Sequence, residues 1–196
     1  MKKILLFIFA LAVLYSCNQN KSDSDSKESA KKSTSFKYTI TKDGIDDLKI
    51  GMRQEELEKL LNTKFTFKTD KDAPGYWEDT IKAKYKDIDV ALYFFRESYD
   101  EDSTYMQLMG VQTSSDQVGT ASGIGVGDTK HDVIPAYEEN PINMGPEWVQ
   151  TNDTTWDMSK TKYSINVKDD KWDKQLIFHL ENKKIVSLGA SMIMED

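Results

Sequence analysis

The chain has 196 residues, with 26 Lys and Arg set against 33 Asp and Glu, and a formal net charge of −7; such a surface repels anionic phosphate backbones and argues against nucleic-acid binding. Its one cysteine, Cys17, excludes an internal disulfide, a CxxC redox pair and a thiolate-rich zinc site. Aromatic residues make up 11%, more than an unfolded chain would carry throughout.

Lys2 and Lys3 precede an apolar run from Ile4 to Leu14, about 11 residues, which suits a secretory h-region and falls short of a bilayer span. Leu14-Tyr15-Ser16-Cys17 then places an aliphatic residue three positions before a cysteine and a small residue directly before it. This layout resembles the lipobox of bacterial lipoproteins. The resemblance implies a signal peptide over 1–16, cleavage after Ser16, and acylation of Cys17, palmitate included, which joins the protein to a membrane. Each buried CH₂ adds about 0.8 kcal/mol, so several acyl chains hold a protein without a spanning helix. Asn18 stands where inner-membrane lipoproteins have Asp, so the sorting pattern favours the outer membrane. Cleavage removes Lys2 and Lys3, and the formal charge falls from −7 to −9.

Asn18 to Ser35 is almost wholly Ser, Lys, Asp, Asn, Gln, Glu and Ala, a composition that buries too little apolar surface to order itself. Residues 17–35 are therefore expected to be the lipidated cysteine and a flexible tether, with an end-to-end distance of about 25 Å. About 160 residues follow from Phe36, enough for one core.

Within them, Ile50-Gly51-Met52-Arg53-Gln54-Glu55-Glu56-Leu57-Glu58-Lys59-Leu60-Leu61 parallels Val126-Gly127-Asp128-Thr129-Lys130-His131-Asp132-Val133-Ile134-Pro135-Ala136-Tyr137 at an offset of 76. Each segment turns at glycine and starts a helix. The expected buried stripes are Leu57, Leu60 and Leu61 in one and Val133, Ala136 and Tyr137 in the other. Thr129 with Asp132 has the form of a capping box, and Pro135 removes a helical N–H, so the second helix should be short or kinked. Downstream, Ala91–Phe95 resembles Gln175–His179 and Leu108–Val111 resembles Ser187–Ala190. Period-two alternation predicts strands at 88–95 and 163–167. Further strands are expected near 36–40, 64–67, 81–85 and 148–151. The expected fold is α+β: two tandem repeats, 36–118 and 119–196, each a short helix followed by an antiparallel meander of three or four strands, with the helices on one sheet face.

The Gly-x-[Thr/Met]-x-x-[Asp/Glu]-[Val/Leu] helix start followed by antiparallel strands resembles the repeat unit of the SmpA/OmlA outer-membrane lipoproteins and of the tandem-repeat fold named after β-lactamase inhibitor protein. The resemblance runs from about residue 44 to 194. It implies a noncatalytic module whose open sheet face binds a protein. The two disulfides of the inhibitor itself have no counterpart here.

Catalytic and cofactor motifs are weak. Gly123-Ile124-Gly125-Val126-Gly127 lacks the GxGxxG spacing and is followed by Asp128, which would oppose an anion at the helix start. His131 and His179 have no third nitrogen or sulfur partner for zinc, no Gly-x-Ser-x-Gly elbow occurs, and the acidic loop Glu97-Ser98-Tyr99-Asp100-Glu101-Asp102 lacks the EF-hand pattern. No enzyme activity, metal or cofactor is expected. Aromatics are the better clue. If Leu92, Phe94, Leu176 and Phe178 face the helices, alternation sends Tyr93, Phe95, Ile177 and His179 to the other side. With Trp148, Trp156 and Trp172 as a rim, that side is the expected protein-binding surface. The first expectation is thus an outer-membrane-anchored scaffold module with an envelope protein partner. The alternative is a carrier or sensor of a small lipid or glycan, and a hydrolase comes last.

Overall fold

Period-two patterning carries most of the folded chain into strands. The computed structural model describes residues 35–67, 77–96, 106–171 and 173–193, so the expected signal peptide, Cys17, the expected tether as far as residue 34, the acidic segment 97–102 and Trp172 lie outside the described residues. Strands take up 57% of the described residues and helices 11%.

The α+β expectation of two helix-plus-meander repeats is therefore corrected: the molecule is mostly β, with a four-stranded sheet, a seven-stranded sheet and two short helices. Element length gives the physical reason. The helices α1 (Gln54–Leu61) and α2 (Lys130–Ala136) have 8 and 7 residues, well below the length at which a helix sustains itself, and each survives by packing its one fully buried apolar residue, Leu57 or Val133. Pro135 ends α2 within a residue, and the Tyr137 N–H falls back to the Ile134 carbonyl at 3.3 Å. Ala136, expected in the buried stripe, is exposed.

The large sheet consists of β4 (Trp77–Tyr85), β5 (Ile88–Arg96), β6 (Gln107–Thr113), β8 (Ile142–Asn152), β9 (Thr155–Lys168), β10 (Lys174–Glu181) and β11 (Lys184–Met192), in the order β4-β5-β6-β11-β10-β9-β8 and antiparallel throughout. The small sheet, β3-β2-β1-β7, joins β1 (Tyr38–Thr41), β2 (Gly44–Ile45), β3 (Leu48–Lys49) and β7 (Val118–Gly119), with β1 and β7 parallel. Residues 64–67, expected as a strand, form none; instead Phe65 and Phe67 stack edge-on against Phe94, with ring centroids 5.3 and 5.1 Å away.

One core joins these layers. Ile40, Ile45 and Leu48 of the small sheet, with Leu57 and Val133 of the helices, cover Leu92, Phe94, Leu176 and Phe178 of the large sheet. The small sheet packs over β6 and β11, and the Lys174 ammonium meets the Asp43 carboxylate at 2.7 Å across the two sheets. That ammonium holds the Asp43 carboxyl below its usual value. The other face of the large sheet carries no further layer among the described residues.

The two glycine turns share a hydrogen-bond pattern. Gly51 and Gly127 both have positive φ, +91° and +95°, which glycine adopts freely. The Gly51 N–H donates to the Leu108 carbonyl and the Gly127 N–H to that of Ile185; Leu108 and Ile185 return bonds to Met52 and Asp128. Each turn thereby seats its helix on β6 or β11, the two strands that meet at the middle of the large sheet.

Candidate functional site

Register places the open-face side chains in rows across the sheet. Thr80 stands opposite Tyr93, Tyr93 opposite Gly110, Gly110 opposite Ser191, and Ser191 opposite Gln175. The next row runs Ala91, Gln112, Gly189, Ile177 and Asn166. Since residues directly opposite share a face, both rows point away from the core. Gly110 and Gly189 leave the middle of each row without a side chain. A hollow of about 400 Å³ results, walled by Tyr93 and Phe95 on β5 and by Ile177 and His179 on β10. The four residues assigned to the outer side by alternation are thus brought together, with Glu78 at the rim opposite Phe95.

Approach to this floor is close. A Cβ at Gly110 would lie 3.3 Å from Tyr93 Cδ2, and one at Gly189 would lie 3.1 Å from the Val111 carbonyl oxygen. A bulge in the β5–β6 register next to Tyr93 gives β6 one extra residue, Met109, which also lines the hollow.

A hydrogen-bond network stiffens the walls. The Tyr93 hydroxyl donates to Gln112 Oε1, and Gln112 Nε2 donates to Ser187 Oγ at 2.7 Å. Gln175 Nε2 donates to Ser191 Oγ at 3.1 Å. Burial pushes the Tyr93 phenol above its ordinary value, so at neutral pH it stays protonated and able to donate. His179 Nδ1 lies 2.7 Å from Glu147 Oε1, which leaves the ring's Nε2 edge for the hollow.

The tryptophans stand elsewhere. Neither Trp148 nor Trp156 lines the hollow, so the expected rim is corrected: Glu147 reaches His179 on the open face, and its neighbour Trp148 points to the opposite side. On that side Met144 opposes Ile165, Trp148 opposes Met158, and Trp156 opposes Gln150. Ile165 is fully buried, whereas Trp148 and Trp156 are each 59% exposed and Met158 52%. The β8–β9 hairpin therefore carries the apolar side of the sheet past the end of the core.

Sequence reasoning missed Gly110, Gly189, Gln112, Gln175 and Ser191. Glycine in mid-strand is the available signal, since it marks a close backbone approach or a place left open. His131 lies on α2, away from these residues in the fold order. No described helix is long and apolar enough to cross a membrane. No family model, no curated protein and no solved structure matches this chain.

Proposed function

We propose that the protein is a noncatalytic binding module of the cell envelope, held at the outer membrane by acyl chains on Cys17, which engages a protein partner through the β8–β9 hairpin. The observation that supports the interface is the contiguous exposure of Trp148, Trp156, Met158 and Met144 on one side of an outer hairpin. Apolar patches of this kind mark association surfaces, and tryptophan is the residue most enriched at their energetic centres. The lipobox-like end and the composition of residues 18–35 support the anchor.

Capture from detergent-solubilised membranes tests the interface, comparing wild type with Trp148→Ala/Trp156→Ala and with Tyr93→Ala. The hairpin variant is expected to lose a partner that the other two retain, with at least about 2 kcal/mol of binding energy removed. Its melting temperature should stay close to wild type, because exposed side chains contribute little to folding. The same partners recovered from all three would remove the hairpin as the interface.

A second reading, a carrier or sensor of a small ligand, is supported by the hollow on the open face, whose volume of about 400 Å³ falls in the range of ligand pockets, roughly 300–1,000 Å³.

A further inference from the structure

The hollow on the open face does not suit every ligand class, and its chemistry narrows the choice. Glu78 at the rim, Glu147 behind His179 and a net charge of −7 repel an anion. Asp79 is buried and its Oδ1 accepts the Thr80 N–H at 2.8 Å. The groups that face inward from the floor and walls are neutral amides and hydroxyls: Thr80, Gln112, Gln175 and Ser191, with Ser187 beside them.

The Ser187 and Ser191 hydroxyls each accept an amide N–H from a glutamine, so their own protons remain to be donated. Gln112 and Gln175 each use one of two amide protons in those bonds, and each keeps the second. Outward donors of this kind oppose a cation and reward an oxygen. A lipid tail would cover them without a hydrogen bond, at a cost. Beside them, the Tyr93 ring leans over Gly110, and the glycine floor lets a flat ring approach the backbone. A second hollow of about 640 Å³ meets the first at Gln112 and is lined by Lys82, Lys84 and Asp89, so the neutral lining is that of the first hollow.

We propose that the first hollow binds an uncharged oligosaccharide, with a sugar ring lying over Gly189 beside the Tyr93 ring, and its hydroxyls bonded to Gln112, Gln175 and Ser191. Neutral hydroxyl groups donate and accept, as the amide and hydroxyl lining requires, and the ring's C–H face matches an aromatic wall. This inference uses the face opposite the tryptophan hairpin, and it stands whether or not the hairpin binds a protein.

The test is an amide NMR titration of the full chain in phosphocholine micelles, a detergent without sugar, using cellobiose, maltose, lactose and chitobiose at millimolar concentration. At least one of them is expected to shift the Gly110 and Gly189 amide resonances saturably. Tyr93→Ala and Gln175→Leu, both at partly exposed positions, should each raise that apparent Kd about tenfold through a lost stacking surface or a lost donor. Trp148→Ala should leave it unchanged. Three results would overturn the proposal: no saturable shift with any of the four sugars, equal shifts from inorganic phosphate or N-acetyl-lysine amide, or a response to N-acetyl-trialanine amide alone, which would reassign the hollow to a peptide strand. A Trp148→Ala chain that loses its protein partner yet binds sugar normally separates this inference from the hairpin reading.

Discussion

Glu58 shows how one carboxylate holds a loop to a helix. It lies on α1, is almost fully buried, and accepts from Gln54 Nε2 at 2.8 Å, Lys64 Nζ at 2.6 Å and the Phe65 N–H at 3.0 Å. These bonds, led by Gln54 and then Lys64, lower its carboxyl from 4.5 to about 2. Because Phe65 packs on Phe94, the carboxylate also fixes an aromatic cluster. Glu58→Ala leaves the Phe65 N–H without its acceptor and is expected to cost about 1–3 kcal/mol in urea unfolding at neutral pH. The sign with pH follows from the lowered value: the charge-dependent stabilisation is complete above 4.5, falls as acid is added, and is gone once pH passes below about 2. The gap between wild type and Glu58→Gln should close over that window. A gap that stays constant to the acid limit would mean that the carboxylate's charge contributes nothing.

At the level of elements, the glycine turns before α1 and α2 carry a conformational requirement that can be measured cleanly at Gly127. Its φ is +95° and a Cβ there would meet nothing within 4 Å, so Gly127→Ala changes backbone strain without a clash. The expected loss is about 1–3 kcal/mol of unfolding free energy, and an unchanged denaturation midpoint would show that the turn relaxes. These turns were legible in the sequence because glycine, cap and apolar spacing recur together at an offset of 76. The direction of Tyr93, Phe95, Ile177 and His179 was legible for a similar reason, since alternation along a strand is geometric. The small sheet was not. β2 and β3 are two residues each, too short for any periodicity, and the β1–β7 pair joins residues as distant as Tyr38 and Val118. Fold class was misjudged because a clear helical pattern at two places says nothing about how little surface two turns of helix cover beside strands of 11 and 14 residues. The side taken by Trp148 and Trp156 was hidden by the shift in β8–β9 register between Pro146 and Trp148 and by a hairpin that outruns the core.

For the whole molecule, the two exposed surfaces and the proposed anchor make separable claims about membrane attachment. An acidic chain, −7 overall and −9 if cleavage removes Lys2 and Lys3, gains nothing from anionic headgroups, so any membrane attachment must come from acyl chains or from apolar side chains that enter lipid. Acyl chains contribute about 0.8 kcal/mol for each buried CH₂, and more than one chain gives stable anchoring. Two exposed tryptophans and two methionines on the hairpin are the most exposed large apolar side chains among the described residues and so the competing source. If the anchor is acyl, Cys17→Ser should move the protein from the membrane pellet to the soluble fraction, while Trp148→Ala/Trp156→Ala should remain in the pellet through high salt and carbonate washing. Intact mass supplies the chemical check, because the wild-type chain should lack residues 1–16 and carry added acyl mass on Cys17. A Cys17→Ser protein that still pellets, and is released only when the tryptophans are also removed, would transfer the anchoring role to the hairpin and take away its availability to a protein partner.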